Sequence, residues 1–147
     1  MGDIEYKTDA IIPVQDFQEL LTGSTLGERR PVEDLECLRG MIENSNLIIS
    51  AWDGDKLVGI ARSVTDFHYA CYLSDLAVDQ AYQRQGIGVK LQQLTQDRLG
   101  PRCTLILIAA PAASDYYPSI GFEHCPRCWV LPRDRKCGVT ADVPNEG

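Results

Sequence analysis

Leu76-Ala77-Val78-Asp79-Gln80-Ala81-Tyr82-Gln83-Arg84-Gln85-Gly86-Ile87-Gly88-Val89 is the stretch whose reading decides the fold. Residues 70–78 read as a strand, and from Gly86 the apolar residues Ile87, Leu91 and Leu94 share a helical face. The join is therefore a strand-to-helix loop, and it carries two glycines separated by one residue. Without a Cβ in the way, backbone N–H groups at a helix N-terminus can approach an anion closely, which suits a pyrophosphate. Neither a Gly-x-Gly-x-x-Gly fingerprint nor the Gly-Lys-Ser/Thr of a P-loop is present, so the Rossmann and Walker readings fall away.

Downstream, Gly100-Pro101 ends the helix and residues 105–109 read as a buried strand. Because this strand follows a crossover helix, it should lie parallel to 70–78 in a right-handed βαβ unit. Upstream, residues 47–52 and 57–64 are apolar runs joined by Asp53-Gly54-Asp55-Lys56, the turn chemistry of a β-hairpin, and 70–78 extends them into a meander. Strand alternation puts Tyr72, Ser74 and Leu76 on one face of the third strand and Leu73, Asp75 and Ala77 on the other. Residues 4–6 read as a short first strand, and Pro13 opens a helix striped by Val14, Phe17, Leu20 and Leu21 that ends near Gly23. A second helix is expected from Pro31, with Glu33 and Asp34 in its first turn and Leu35, Leu38, Met41 and Ile42 along one face. On the far side, Ser114 is expected to cap a short helix reaching Ile120; Phe122 and residues 129–131 read as parts of two final strands. These elements predict an α/β fold with a mixed central sheet, an antiparallel N-terminal meander and a parallel βαβ unit. They fill one domain over residues 1–138, and residues 139–147, with few large apolar side chains, read as a flexible tail.

At 147 residues and 44% hydrophobic, the chain suffices for one buried core and is short for two. Acidic residues number 21 against 14 basic, a net charge of −7, which argues against a nucleic-acid partner and suits cationic partners such as amines. The N-terminus has no apolar leader and no run approaches bilayer-spanning length, so no membrane partner and a soluble cytoplasmic protein are expected. The six cysteines, at positions 37, 71, 103, 125, 128 and 137, form no framework and read as free thiols. Around His124, Cys125, Cys128 and Cys137 the second half lacks paired-ligand spacing, and no metal is expected.

The loop's Gln83-x-x-Gly86-x-Gly88 resembles the acyl-CoA loop of the GCN5-related N-acyltransferase (GNAT) family, Gln/Arg-x-x-Gly-x-Gly/Ala. A second resemblance follows in order, Ala113-x-x-Tyr116-Tyr117-x-x-x-Gly121-Phe122, close to that family's Ala-x-x-aromatic-Tyr-x-x-x-Gly-Phe. The likeness runs from about residue 47 to 122. Singly, the first motif is no more than a tight turn and the second a packed aromatic helix; in order and in context they are far more specific. Ser74-Asp75-Leu76-Ala77-Val78-Asp79 and Ala61-Arg62 look most like small bacterial and plastid members that include arylalkylamine (serotonin-type) acetyltransferases. One departure is Ala110, where the family often carries an asparagine toward the pantetheine arm.

The resemblance implies an acetyl-CoA-dependent N-acetyltransferase in which a primary amine attacks directly in a ternary complex. It implies a GNAT fold with a parallel βαβ splay at the cofactor site, where the backbone of Leu76, Ala77 and Val78 meets the pantetheine arm, and that Gln83, Arg84, Gln85, Gly86, Ile87, Gly88 and Val89 hold the pyrophosphate. Ser114 and Tyr117 join the cofactor site, with Tyr117 protonating the coenzyme A sulfur. For the proton acceptor Asp75 is the nearest carboxylate, with His68 and Asp66 as further candidates; Tyr72 stands where some relatives carry a glutamate. Arylalkylamine, polyamine, amino acid, aminoglycoside, and protein N-terminus or lysine all remain open as acceptor. Dimers are common among relatives, which leaves a homodimer open, and a non-catalytic acyl-CoA sensor of the same fold is the alternative.

Overall fold

Five strands form one mixed sheet in sequence order: β1 (Glu5–Lys7), β2 (Leu47–Asp53), β3 (Lys56–Thr65), β4 (Ala70–Val78) and β5 (Thr104–Ile106). Pairing is antiparallel from β1 to β4 and parallel between β4 and β5, because α3 (Ile87–Asp97) carries the chain back across the sheet. This computed structural model describes residues 3–139, so expectations for 140–147 lie outside it. The chain divides into two compact units, Met1–Ile108 and Ala109–Gly147. Among the described residues no helix is long and apolar enough to cross a membrane.

In the first unit, helices cover both faces of the sheet. On one side, Phe17, Leu20 and Leu21 of α1 (Val14–Gly23) and Leu38 of α2 (Leu35–Glu43) pack with Trp52, Leu57, Ile60 and Ala77. On the other, Ile87 and Leu91 of α3 pack with Leu47, Ile49, Ala51, Ala61 and Leu73. The β2–β3 hairpin turns at Gly54, whose φ of +61° is the left-handed conformation such a turn demands.

Several boundaries differ from the sequence reading. The second helix starts at Leu35 rather than near Pro31, because Asp34 is its N-cap and accepts from the Cys37 N–H at 3.0 Å. Leu35 therefore lies at the helix mouth and is exposed, while Leu38 is buried. On α3, Gln92 and Thr95 are buried; Gln92 Nε2 donates to the Gly88 carbonyl and Thr95 Oγ1 to the Leu91 carbonyl, while Gln92 Oε1 is buried without a hydrogen-bond partner. β5 is shorter than expected and half-exposed, because it forms the sheet edge.

The expected alternation along β4 is also overturned. Arg62 of β3 pairs with Asp75, but its neighbour Ser63 pairs with Leu73, so Ser74 is the extra residue of a β-bulge. The bulge inverts the faces beyond it. Leu73 lies in the core beside α3, and past the bulge Leu76 and Val78 pack on that side while Ala77 joins the α1–α2 core.

The second unit is helix and turn: a 3-10 turn at Pro111–Ala113, then α4 (Tyr116–Ser119), then irregular chain. Ser114 does not cap α4; it closes the 3-10 turn, and Asp115 precedes the helix without a side-chain cap. Among the described residues no strand follows β5, contrary to the two expected from Phe122 and residues 129–131. Pro126 and Pro132 bracket the latter segment and remove ladder donors on both sides of it.

Gly59 of β3 sets how closely α3 approaches the sheet. A Cβ there would lie 3.1 Å from Ile87 Cγ2, 3.1 Å from Leu91 Cδ1 and 3.3 Å from Ala51 Cβ. Gly59→Ala should therefore lower stability by about 1–3 kcal/mol through overpacking. Urea unfolding is the measurement, and an unchanged midpoint would mean that α3 can lift away without cost.

Candidate functional site

β4 and β5 pair over only the first part of β4. β5 meets β4 only from Ala70 to Tyr72, so β4 continues from residue 73 to 78 without that neighbour. Leu76, Ala77 and Val78 lie on this uncovered stretch, directly before the glycine loop.

The loop is anchored at its entry. Asp79 accepts from the Ala81 N–H at 2.9 Å and opens the 3-10 turn Gln80–Tyr82, while its own N–H donates to the Val58 carbonyl at 2.9 Å. Tyr82 is buried and donates its hydroxyl to Asp53 at 2.5 Å; that hydrogen bond, with burial, pushes the phenol's pKa up. Lys56 lies 3.6 Å from the Asp79 carboxylate and 5.3 Å from the Tyr82 ring centroid, tying the β2–β3 turn to the same place. Gln83 then folds back, its Nε2 donating to the Val78 carbonyl at 2.9 Å.

Two left-handed residues follow, Arg84 at φ +65° and Gly86 at φ +82°. Holding a non-glycine residue there costs roughly 1–2 kcal/mol, a cost usually met where function requires the turn. Gly86 is the N-cap of α3 and no side chain caps that helix, so its first-turn N–H groups keep their capacity for an outside acceptor. A Cβ built on Gly86 would meet nothing within 4 Å, so the space beside the helix mouth is open. Gln83, Arg84, Gln85 and Gly86 are exposed, and Gly88 and Val89 half-exposed. Open approach, uncapped amides and a helix dipole together fit a phosphate-bearing group such as the pyrophosphate of coenzyme A.

Asp75 has a different character. It is fully buried, accepting from Arg30 Nε at 2.6 Å on one oxygen and from Arg62 Nε at 2.5 Å on the other. Arg62 also donates to Ser45 Oγ at 2.9 Å, to the Met41 carbonyl at 3.3 Å and to Ser74 Oγ at 2.9 Å; Arg30 donates to the Ser74 carbonyl at 2.9 Å. Sequence reasoning singled out the carboxylate and missed this use of both arginines. A signal existed for Arg62, a lone charge inside the apolar run 57–64; Arg30 reads as one more solvated charge after Glu28 and Arg29. Asp66 caps the β3–β4 turn, accepting from the N–H groups of His68, Tyr69 and Ala70, and those bonds hold its carboxyl below the usual carboxylate range. His68 is exposed on the same turn.

In the second unit, the Tyr117 ring stands edge-on to Tyr116 at 5.1 Å and to Phe122 at 5.4 Å between centroids. The Phe122 N–H donates to the Tyr117 carbonyl at 3.0 Å, and Gly121 makes the turn between them at φ +105°. Burial pushes the Tyr117 phenol's pKa up. Ser114 is exposed. Cys125, Cys128 and Cys137 are exposed free thiols, and among the described residues no three His, Cys, Asp or Glu side chains converge as a metal would need.

Neutralising Asp75 would strand two guanidinium groups, that of Arg62 being only 7% exposed. Asp75→Asn should therefore cost about 3–5 kcal/mol of unfolding free energy, the range for breaking a buried pair by removing one partner. Denaturant unfolding of the variant checks this, and a loss below about 1 kcal/mol would mean that solvent reaches the pair.

Comparison with known proteins agrees with this geometry. Residues 19–128 match the family model described as an acetyltransferase (GNAT) domain. The chain is 34% identical over 76 residues to GCN5-related N-acetyltransferase 2, chloroplastic, of Arabidopsis thaliana, covering 48% of this chain and 28% of that protein. It is 30% identical over 110 residues to the uncharacterized N-acetyltransferase ycf52 of Pyropia yezoensis, covering 71% of this chain and 62% of that one. The chain thus spans less than two thirds of the length of either relative. Among solved structures, a GNAT-family acetyltransferase from Streptococcus pneumoniae superposes with a TM-score of 0.69 at 27% identity, covering 90% of this chain and all of its own. Matched across most of its length by the family model, and carrying the uncapped glycine loop between β4 and α3, the chain belongs to the GNAT acetyltransferase family.

Proposed function

We propose that the protein transfers the acetyl group of acetyl-CoA to a primary amine by direct attack in a ternary complex. The observation that carries this reading is the loop from Gln83 to Val89, where a left-handed glycine caps α3 and leaves its amides to an anion. Bound acetyl-CoA would supply the activated acetyl thioester. The amides of Ile87, Gly88 and Val89 would hold its pyrophosphate, with Gly86 giving the clearance and Arg84 and Gln85 flanking it. The uncovered edge of β4 at Leu76, Ala77 and Val78 offers backbone groups to an extended amide arm.

Tyr117 is assigned as proton donor to the departing sulfur. Its raised phenol pKa keeps the hydroxyl protonated at neutral and mildly alkaline pH, the state a donor needs. Ser114 lies three residues before it, on the approach to α4. Asp75 is assigned to the arginine clamp and not to proton removal, since guanidinium groups engage both of its oxygens inside the protein. Asp66, held in its ionised form by three backbone amides, is a weak base. His68 and solvent remain as acceptors for the amine's proton. The cytoplasmic reading rests on the cysteine spacing in the sequence, which forms no disulfide framework.

Acetyl-CoA consumption over a panel of arylalkylamines, polyamines, amino acids, aminoglycosides and peptides tests activity and acceptor class together, and should find turnover with at least one amine. Gly86→Asp, which puts a strained side chain and a negative charge into the cradle, should weaken acetyl-CoA binding about tenfold or more. Wild-type affinity in a folded variant would remove the loop from the site. For Tyr117→Phe the expected result is near-normal acetyl-CoA affinity with the single-turnover rate lowered about a hundredfold, the signature of a group acting in the transition state. An unchanged chemical rate would exclude Tyr117 from the mechanism.

A further inference from the structure

The bulge at Ser74 decides how β4 presents itself to the site. One residue is added between the pairs Leu73–Ser63 and Asp75–Arg62, so every residue beyond it, Leu76 and Val78 included, faces the opposite way from its place in an unbroken strand. A bulged residue has no ladder partner opposite it, and its polar groups need other company. Here the arginines supply that company. The Ser74 carbonyl accepts from Arg30 Nη2 and its hydroxyl from Arg62 Nη2, each at 2.9 Å, while the adjacent Asp75 carboxylate takes the two Nε donors.

The two arginines come from different places. Arg62 belongs to β3, is almost fully buried, and has the carbonyl of Met41 near the C-terminal end of α2 as a further partner, where the helix dipole favours a cation. Arg30 comes from the connection between α1 and α2, and its side chain is 22% exposed. That connection begins at Thr25, a β-branched residue at φ +73°, and its 3-10 turn Leu26–Arg29 buries no residue. Leu26 and Val32 of the connection pack on the α1–α2 core and Gln18 Nε2 donates to the Val32 carbonyl at 2.6 Å, while the charge-assisted fork of Arg30 ties the connection to β4.

Building on the acetyltransferase reading, we propose that Arg30 is a positioning residue for acyl transfer: it holds the Ser74 bulge, and with it the Leu76 backbone, in place and joins them to the α1–α2 connection. Arg30 reaches the Asp75 carboxylate with Nε, the Ser74 carbonyl with Nη2 and the Arg29 carbonyl with Nη1. A lysine could keep the charge on Asp75 but could not reproduce this fork.

Arg30→Met and Arg30→Lys in the full chain test the proposal, with unfolding midpoint, acetyl-CoA affinity, acceptor KM and single-turnover rate measured on each. Acetyl-CoA affinity should fall less than the rate in both, because the pyrophosphate loop is elsewhere and only the contacts of the Leu76 backbone are loosened, whereas the rate should fall about tenfold or more, as small misplacements of a reacting centre do. Arg30→Lys should recover most of the stability lost in Arg30→Met without recovering the rate or the acceptor KM. Rate and stability recovering together in Arg30→Lys would overturn the proposal, as would wild-type kinetics in a folded Arg30→Met or failure of Arg30→Lys to fold. Hydrogen exchange gives a readout independent of activity: Arg30→Met should speed exchange in residues 24–34 and also in 73–77, and unchanged exchange at 73–77 sinks the positioning role. Wild-type protein inactive on every amine would count against the acetyltransferase reading alone.

Discussion

Asp75 sits without solvent contact between Arg30 and Arg62, and four pieces of the first unit meet through it: the α1–α2 connection, the end of α2, β3 and the bulge of β4. Burying these charges carries a desolvation cost that an apolar cluster of the same volume would avoid. What the polar cluster supplies is direction. Apolar burial specifies register less sharply in a strand whose two faces are both covered, whereas a carboxylate with two Nε donors and a bulged carbonyl with its own donor are satisfied in a single register. The same cluster therefore fixes which face of β4 each residue beyond Ser74 occupies.

From that register the rest of the candidate site follows by packing. With Leu76 and Val78 turned toward α3, the strand end is gripped by the core that also holds Ile87 and Leu91. Gly59 lets α3 lie close, and the Tyr82–Asp53 hydrogen bond and the Lys56–Asp79 ion pair fasten the loop's first half to the β2–β3 turn. The left-handed pair at Arg84 and Gly86 is thus held between two fixed ends, which is how a costly backbone conformation persists.

Much of this was legible in the chain itself, for identifiable reasons. The hairpin around Gly54, β4 and α3 are written in turn chemistry and periodicity, local signals that act over a few residues. The start of α2 was misread because Pro31 and Asp34 both satisfy the rules for a helix entrance, and only the Asp34 bond to Cys37 decides between them. The bulge was invisible because it arises from partners distant in sequence; Arg30 and Ser74 are 44 residues apart. The same distance hid the role of Asp75, whose neighbours in sequence are Ser74 and Leu76 but whose neighbours in space are arginines. The segment around residues 129–131 failed for the converse reason: its apolar run promises a strand, but a strand also needs an edge to pair with, and composition does not report one.

A site assembled mainly from backbone has a consequence for how the family varies. Uncapped amides of α3, a left-handed glycine and an uncovered strand edge depend on conformation, so most side chains around them can change while the geometry survives. Identities near 30% with N-acetyltransferases are consistent with that freedom. Acceptor choice is different, because recognising one amine among many needs side chains of particular charge and shape. On the proposed reading, the segments that would supply them are the connection from Thr25 to Asp34, anchored in the core by Leu26 and Val32, and the turn from Asp66 to Tyr69, anchored there by Phe67. The first is tied to β4 through Arg30, and the second is closed on itself by Asp66. A change of acceptor can therefore be accommodated in these loops without disturbing the strand that the proposed thioester would meet, provided that the arginine tether stays.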